Sequence, residues 1–171
     1  MRWQDITLRT ERLLITPFSP DDADEAFAEI TPSLTRFLSF EPPPSREAFE
    51  TIWKKWLKTI EDGSDLTFVL RLLDSRRFLG LAGLHETRSA EPKLGIWIAE
   101  SEHGHGYGRE AVHNIARWGA KAFGATAFHY PVAVENSPSR RLAEALGGLE
   151  IGTETTAKFA SVIYRIPAAG L

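Results

Sequence analysis

A chain of 171 residues, 43% hydrophobic and 25% charged, has the apolar content for one domain with a core and little room for two. Its net charge of −3 argues against nucleic acid or a membrane surface as partner, since either would call for a clustered basic excess. Cysteine is absent, which excludes disulfides, thiolate metal sites and cysteine nucleophiles. No apolar run nears the roughly 18 residues of a membrane span, and the charged start MRWQDITLRTERLL does not read as a secretory signal. A cytoplasmic protein handling a small molecule is expected.

The first strand is TERLLITPF (10–18). Ser19 then caps a helix in SPDDADEAFAEI, with Pro20 at its first position and acids at the positive end of its dipole. The prolines of SFEPPPS make a rigid loop. Ser45 opens a second helix whose stripe is Phe49, Ile52, Trp53, Trp56, Leu57 and Ile60, and Gly63 ends it. Both tryptophans read as core. LTFVLRLLD, RFLGLAGLHE and KLGIWIAE form an antiparallel meander across the polar turns DSRR and TRSAEP. A helix over REAVHNIARWGAKAFG turns Val112, Ile115, Ala116, Gly119 and Phe123 to one side. The strand ATAFHYPVAV follows, then a helix capped by Asn136 or Ser137, and the hairpin LEIGTETTAKFASVIYRI closes the chain. The order β-α-α-β-β-β-α-β-α-β-β predicts a mixed α/β fold with helices against the sheet.

The segment SEHGHGYGREA (101–111) puts glycines at alternate positions ahead of a helix. Successive amides with no Cβ in the way form a concave anion site, and the helix dipole adds about half a positive charge behind them. Phosphate or pyrophosphate is the natural guest. A P-loop is excluded because Arg109 and Glu110 follow Gly108, and a dinucleotide fingerprint because its last glycine is Arg109. There is no kinase lysine motif and no G-x-S-x-G elbow. His103 and His105 have no third ligand at a suitable spacing, so no metal is expected.

Read as Q/R-x-x-G-x-G with His103 first, HGHGYG resembles the acyl-CoA pyrophosphate loop of the GNAT N-acetyltransferases. LGIWIAE is similar to that superfamily's fourth strand, and GYGREA to the GYATEA of its ribosomal-protein (RimJ/RimL-type) branch. VENSPSRRLAEALGG resembles the branch's N-x-x-S-x-x-x-x-x-x-x-G-F segment, with Asn136, Ser139 and Gly147 in register. The resemblance implies a mostly antiparallel mixed sheet of about seven strands with a splayed parallel pair and helices on both faces. It implies acetyl-CoA as cosubstrate, a primary amine as acceptor (a protein or peptide N-terminus above all) and a homodimer as the assembly to look for. The pantetheine arm would pair with the main chain of Trp97, Ile98 and Ala99. The pyrophosphate would sit on His103, Gly104, His105, Gly106, Tyr107 and Gly108, with Arg109 near the phosphates and Tyr107 packing. Asn136 and Ser139 would lie near the sulfur, with Ser139 as hydrogen-bond donor or acid to the thiolate.

The sequence departs from the family at His103, at Gly148 where phenylalanine is usual, and at Ala143 where many members place a catalytic tyrosine. With no cysteine, direct attack of an amine on the thioester is favoured over an acyl-enzyme on sulfur. At pH 7 a neutral α-amine costs about 1 kcal/mol and a neutral lysine amine roughly 4–5 kcal/mol, which favours the α-amine. Candidate bases are Glu86, His85 and Glu135, with Glu86 placed in the catalytic set. His85, Phe40 and Glu41 are expected acceptor contacts. A non-catalytic acyl-CoA-binding module, or an acyltransferase using succinyl-CoA, are the competing readings.

Overall fold

Leu13–Pro17 (β2) alternates buried and half-buried residues, as a strand with one covered face must. It pairs antiparallel with Leu8–Arg9 (β1) on one side and Leu66–Leu72 (β3) on the other. Phe78–His85 (β4) and Lys93–Ile98 (β5) continue the antiparallel meander. Ala127–Ala133 (β6) then lies parallel to β5, and Ala160–Pro167 (β8) and Leu149–Thr155 (β7) complete the order β1-β2-β3-β4-β5-β6-β8-β7. The computed structural model describes residues 1–171. Its sheet has eight strands because the two-residue β1 joins the seven read from the sequence.

Helices cover both faces. Ala23–Glu29 (α1) follows a single 3-10 turn over Pro20–Asp22, where Asp22 accepts the Ser19 amide at 2.9 Å. The sequence reading ran one helix through both. A short helix, Pro32–Thr35 (α2), was not expected; Thr31 Oγ1 caps it by accepting from Leu34 N. Arg46–Asp62 (α3) begins and ends as its sequence requires. The Ser45 hydroxyl accepts the Ala48 amide at 3.1 Å, and Gly63 closes the helix at φ 75°. Tyr107–Phe123 (α4) buries Val112, Ile115, Ala116 and Gly119 on the opposite face, with Gly119 against Leu84 and Phe128. Ser137–Ala145 (α5), capped by Asn136, packs beside it.

The feature that positions the site is the parting of β5 and β6. They share one register pair, Lys93 with His129, where the His129 amide donates to the Pro92 carbonyl at 2.9 Å. Glu91 braces this junction: it receives Arg165 at 2.7 Å and His129 Nε2 at 2.6 Å. The Arg165 bond, aided by His129, holds its carboxyl below the usual carboxylate range. Beyond the junction the strands separate, for reasons visible in two residues. Gly80 lets β5 lean onto β4, since a Cβ there would sit 2.0 Å from the Trp97 carbonyl oxygen. Pro131 has the same strand parity as His129, so its missing N–H falls on the side of β6 that faces β5. A full ladder there would lack that donor.

Candidate active site

Between His103, whose amide donates to Glu100, and Glu110, whose amide donates to Gly106, the amides of residues 104–109 donate to no protein acceptor. They sit at the entry of α4, beside the mouth of the β5–β6 gap. Gly104 and Gly106 adopt φ 85° and 78°, a region that a side chain resists. Gly108 has a different job. Its Cβ would lie 3.3 Å from Leu142 Cδ1 and 3.7 Å from Ile96 and Ile98, so glycine lets α4 pack closely against α5 and β5. Orphan amides, left-handed glycines and a helix N-terminus together make an anion cradle.

The cradle is braced by residues that sequence reasoning did not single out. Arg12, at the start of β2, donates to the His105 carbonyl at 2.8 Å and lies 4.7 Å from the Tyr107 ring centre. Its Nε donates to Glu110 Oε2 at 2.7 Å, while Thr10 Oγ1 and the Arg12 amide hold Glu110 Oε1. Burial pushes the Glu110 carboxyl up, but the bonds from Thr10 and Arg12 outweigh it and hold the group below its ordinary value. A lowered native value means the contribution of the brace is full above the ordinary carboxylate range and is lost as the pH falls from there through the lowered value. Cooling of the melting temperature between pH 7 and pH 4 is therefore expected to be smaller in Glu110→Gln than in the parent, measured by thermal unfolding at both pH values. The only signal in the sequence was the proximity of Glu110 to the glycines; its partner lies 98 residues away.

His103 does not reach outward. Its Nε2 donates to the Ile98 carbonyl at 2.7 Å, tying the turn to the end of β5. The expected main-chain set at residues 97–99 is partly engaged as well. The Ala99 amide donates to Leu79 at 2.7 Å, and the Trp97 carbonyl packs on Gly80. Because even-numbered residues of β5 turn their main chain toward β6, as Pro92 does, Ile96 and the Ile98 amide carry the free edge, while His103 occupies the Ile98 carbonyl. The Ala99 amide, named in the expected pairing, is thus turned to β4. Arg109 contributes its amide to the cradle, but its side chain lines a separate hollow of about 450 Å³ with His113 and Leu171. Burial, then Arg117 and Arg109, lowers the His113 pKa. Arg140 is held by Tyr164 at 3.0 Å and Glu150 at 2.7 Å.

The gap opens into a cavity of about 580 Å³, and the structure brings Asn136, Ser139, Trp97, His85, Phe40 and Glu41 together on its walls. Asn136 Oδ1 accepts the Ser139 amide at 3.4 Å. Ser139 Oγ lies 2.6 Å from the hydroxyl of Tyr130, which comes from β6. Tyr130 was read only as part of a strand, and its hydroxyl stands behind Ser139. Burial pushes its pKa up to about 12, against the opposing bond from Ser139.

His85 is held from two sides. Its Nδ1 faces Asp65 Oδ1 at 3.4 Å, and Asp65 is fixed by the Glu86 amide at 3.0 Å. Its ring folds back over Gly83, where a Cβ would meet Nε2 at 2.3 Å, and reaches toward Gly95. With Nδ1 against a carboxylate, the neutral ring presents the Nε2 lone pair. Glu86 is not brought to the cavity. It sits past the end of β4 at φ 56°, exposed, with Oε1 3.2 Å from Lys93 Nζ. The left-handed turn carries its carboxylate away from the wall that His85 occupies. Glu135 is exposed and is not on the cavity wall.

A single parallel pair thus opens beside a helix N-terminus whose amides have no protein partner. Residues 12–148 match the family model described as the acetyltransferase (GNAT) domain, and the chain belongs to this family. Solved structures share the fold. Mycobacterium smegmatis RimJ in complex with CoA-disulfide is 18% identical, with 99% of this chain and 90% of that chain covered and a TM-score of 0.86. Spermidine N-acetyltransferase from Vibrio cholerae, in complex with CoA and spermine, is 19% identical over 94% and 98% of the two chains, with a TM-score of 0.81. A GNAT-family acetyltransferase from Bacillus anthracis is 17% identical over 96% and 99%, with a TM-score of 0.82. At such identities the likeness is one of fold. No curated protein matches the chain. No helix is long and apolar enough to cross a membrane, and no group of three or more His, Asp or Glu side chains is placed to hold a metal ion.

Proposed function

We propose that the chain is a cytoplasmic, single-domain acetyl-CoA-dependent N-acetyltransferase that acylates a primary amine, in the first place a peptide N-terminus, by direct transfer. The observation that carries this reading is the run of unpaired amides at 104–109 leading through the β5–β6 gap to a cavity with His85 on one wall and Ser139 on another. The cradle fits a pyrophosphate, and the free edge formed by Ile96 and the Ile98 amide fits the amides of a pantetheine arm. When bound, the coenzyme supplies an acetyl thioester.

In this reading His85 Nε2 accepts the proton that the amine nitrogen loses as its bond to the acetyl carbon forms and the carbon–sulfur bond breaks; solvent then takes the proton from the ring. Asp65 positions the ring and stabilises its charged form. The role of Ser139 is decided by magnitude. A phenol near pKa 12 protonating a thiolate near 8.5 is uphill by about 5 kcal/mol, and a serine hydroxyl is a weaker acid still. Tyr130 and Ser139 therefore act as hydrogen-bond donors: the phenol donates to Ser139 Oγ, and the serine proton is free for the sulfur. A hydrogen bond to a charged group contributes about 1.5–3 kcal/mol. Ser139→Ala is expected to lower kcat by about 10- to 100-fold and Tyr130→Phe by less, with CoA affinity little changed, measured by steady-state rates and calorimetric titration. Equal losses of affinity and rate would make Ser139 a ligand only. The reading itself is tested by following CoA release: a peptide amine is expected to accelerate it and to recover one acetyl group per CoA. CoA binding with no acceleration by any amine would favour a binding module.

A further inference from the structure

Thr67, Gly83 and Gly95 are directly paired across β3, β4 and β5, so this stretch of the sheet under the cavity is a shallow trench, bounded by the His85 ring on one side and by Leu81 and Trp97 on the other. Over this trench stand Phe49, Ile52 and Trp56 of α3, and the loop after α2 adds Phe37, Leu38 and Phe40. Phe40 and Ile52 are 42% and 39% exposed, two large apolar side chains left open on the rim of one chamber. Its charges are mostly neutralised. Lys158, in the β7–β8 turn, donates to the carbonyls of Thr35 at 2.7 Å and Phe40 at 3.0 Å and lies 3.1 Å from Glu41 Oε1. Lys93 is paired with Glu86. Glu154, exposed on β7, is the one carboxylate of the lining without an ion-pair partner.

We propose that the acceptor is a peptide N-terminus whose first side chain is large and apolar, with the α-amine at His85 and that side chain between α3 and the loop at Phe40. This rests on the transferase reading above. A polyamine would bring two or more ammonium groups into a chamber with one unpaired carboxylate, and a buried charge without a partner is strongly disfavoured. A small polar first residue would leave the aromatic walls unfilled. Glu41, an expected acceptor contact, already has Lys158 as its ion-pair partner.

The test is kcat/KM with acetyl-CoA for otherwise identical peptides beginning Phe, Leu, Ser or Asp, and for spermidine. An apolar pocket distinguishes side chains by roughly 10- to 200-fold, so Phe or Leu is expected to exceed Ser by at least tenfold. Trp56→Ala should reduce that ratio chiefly through KM; Phe40→Ala, on the exposed rim, should do the same without burdening the fold. Lys158→Gln, which frees Glu41, should raise the relative rate with spermidine. Preference for Ser-starting peptides or spermidine in the parent, or a Phe-to-Ser ratio unmoved in Phe40→Ala, overturns the proposal and leaves the transferase reading standing. CoA binding without turnover of any amine overturns both.

Discussion

His85→Ala is expected to lower kcat for amine acetylation by about 10²- to 10⁴-fold, the range that a positioned general base supplies, while the dissociation constant for CoA stays within a few-fold. Two further variants separate the base from its support. Asp65→Asn keeps the shape but removes the charge that favours the imidazolium, and should lower kcat by roughly 10- to 100-fold with KM for the coenzyme unchanged. Gly83→Ala leaves the strand intact and places a methyl where Nε2 now lies, so it should displace the ring and lower kcat without lowering the melting temperature much. If His85→Ala retains full activity, the base is another group and Asp65 braces only the Glu86 turn.

Gly106→Val should weaken CoA and acetyl-CoA binding by about 100-fold. A β-branched residue at φ 78° carries a strain of order 1–3 kcal/mol, and its side chain points at the Arg12 guanidinium, 3.6 Å from where Cβ would stand. Relief of that strain turns the chain out of the left-handed region and re-aims the neighbouring amides. Gly108→Ala is the contrast. Its backbone is ordinary, and the methyl asks Leu142 to give by a few tenths of an ångström, so affinity should fall by no more than several-fold. Titration calorimetry with CoA reads both. Similar losses in the two variants would mean that close packing, and not amide orientation, sets the affinity.

The order of strands and helices was legible because each element carries its period and its punctuation: Ser45 and Gly63 bracket α3, and Asn136 caps α5. The glycine cradle was legible for the same local reason. What was not legible depends on pairing across the chain. Arg12 reads as an exposed charge until β2 lies beside the entry of α4 and Glu110 closes on it. Tyr130 reads as a core strand residue until α5 sets Ser139 against it. Glu86 and His85 are adjacent in sequence, and only the left-handed backbone at Glu86 decides which of the two faces the cavity. One signal was available and unused. Pro131, in the interior of a strand, marks a place where no neighbour takes an N–H, and that place is the gap between β5 and β6.

Everything assigned to this molecule depends on main-chain hydrogens at the entry of α4 holding a diphosphate. A crystal structure of the protein with CoA measures this directly. The account predicts diphosphate oxygens within about 3.2 Å of several amide nitrogens of residues 104–109, with the arm running along Ile96 and Ile98 toward Ser139. A coenzyme whose diphosphate lies elsewhere, with those amides facing water or their own side chains, would contradict it.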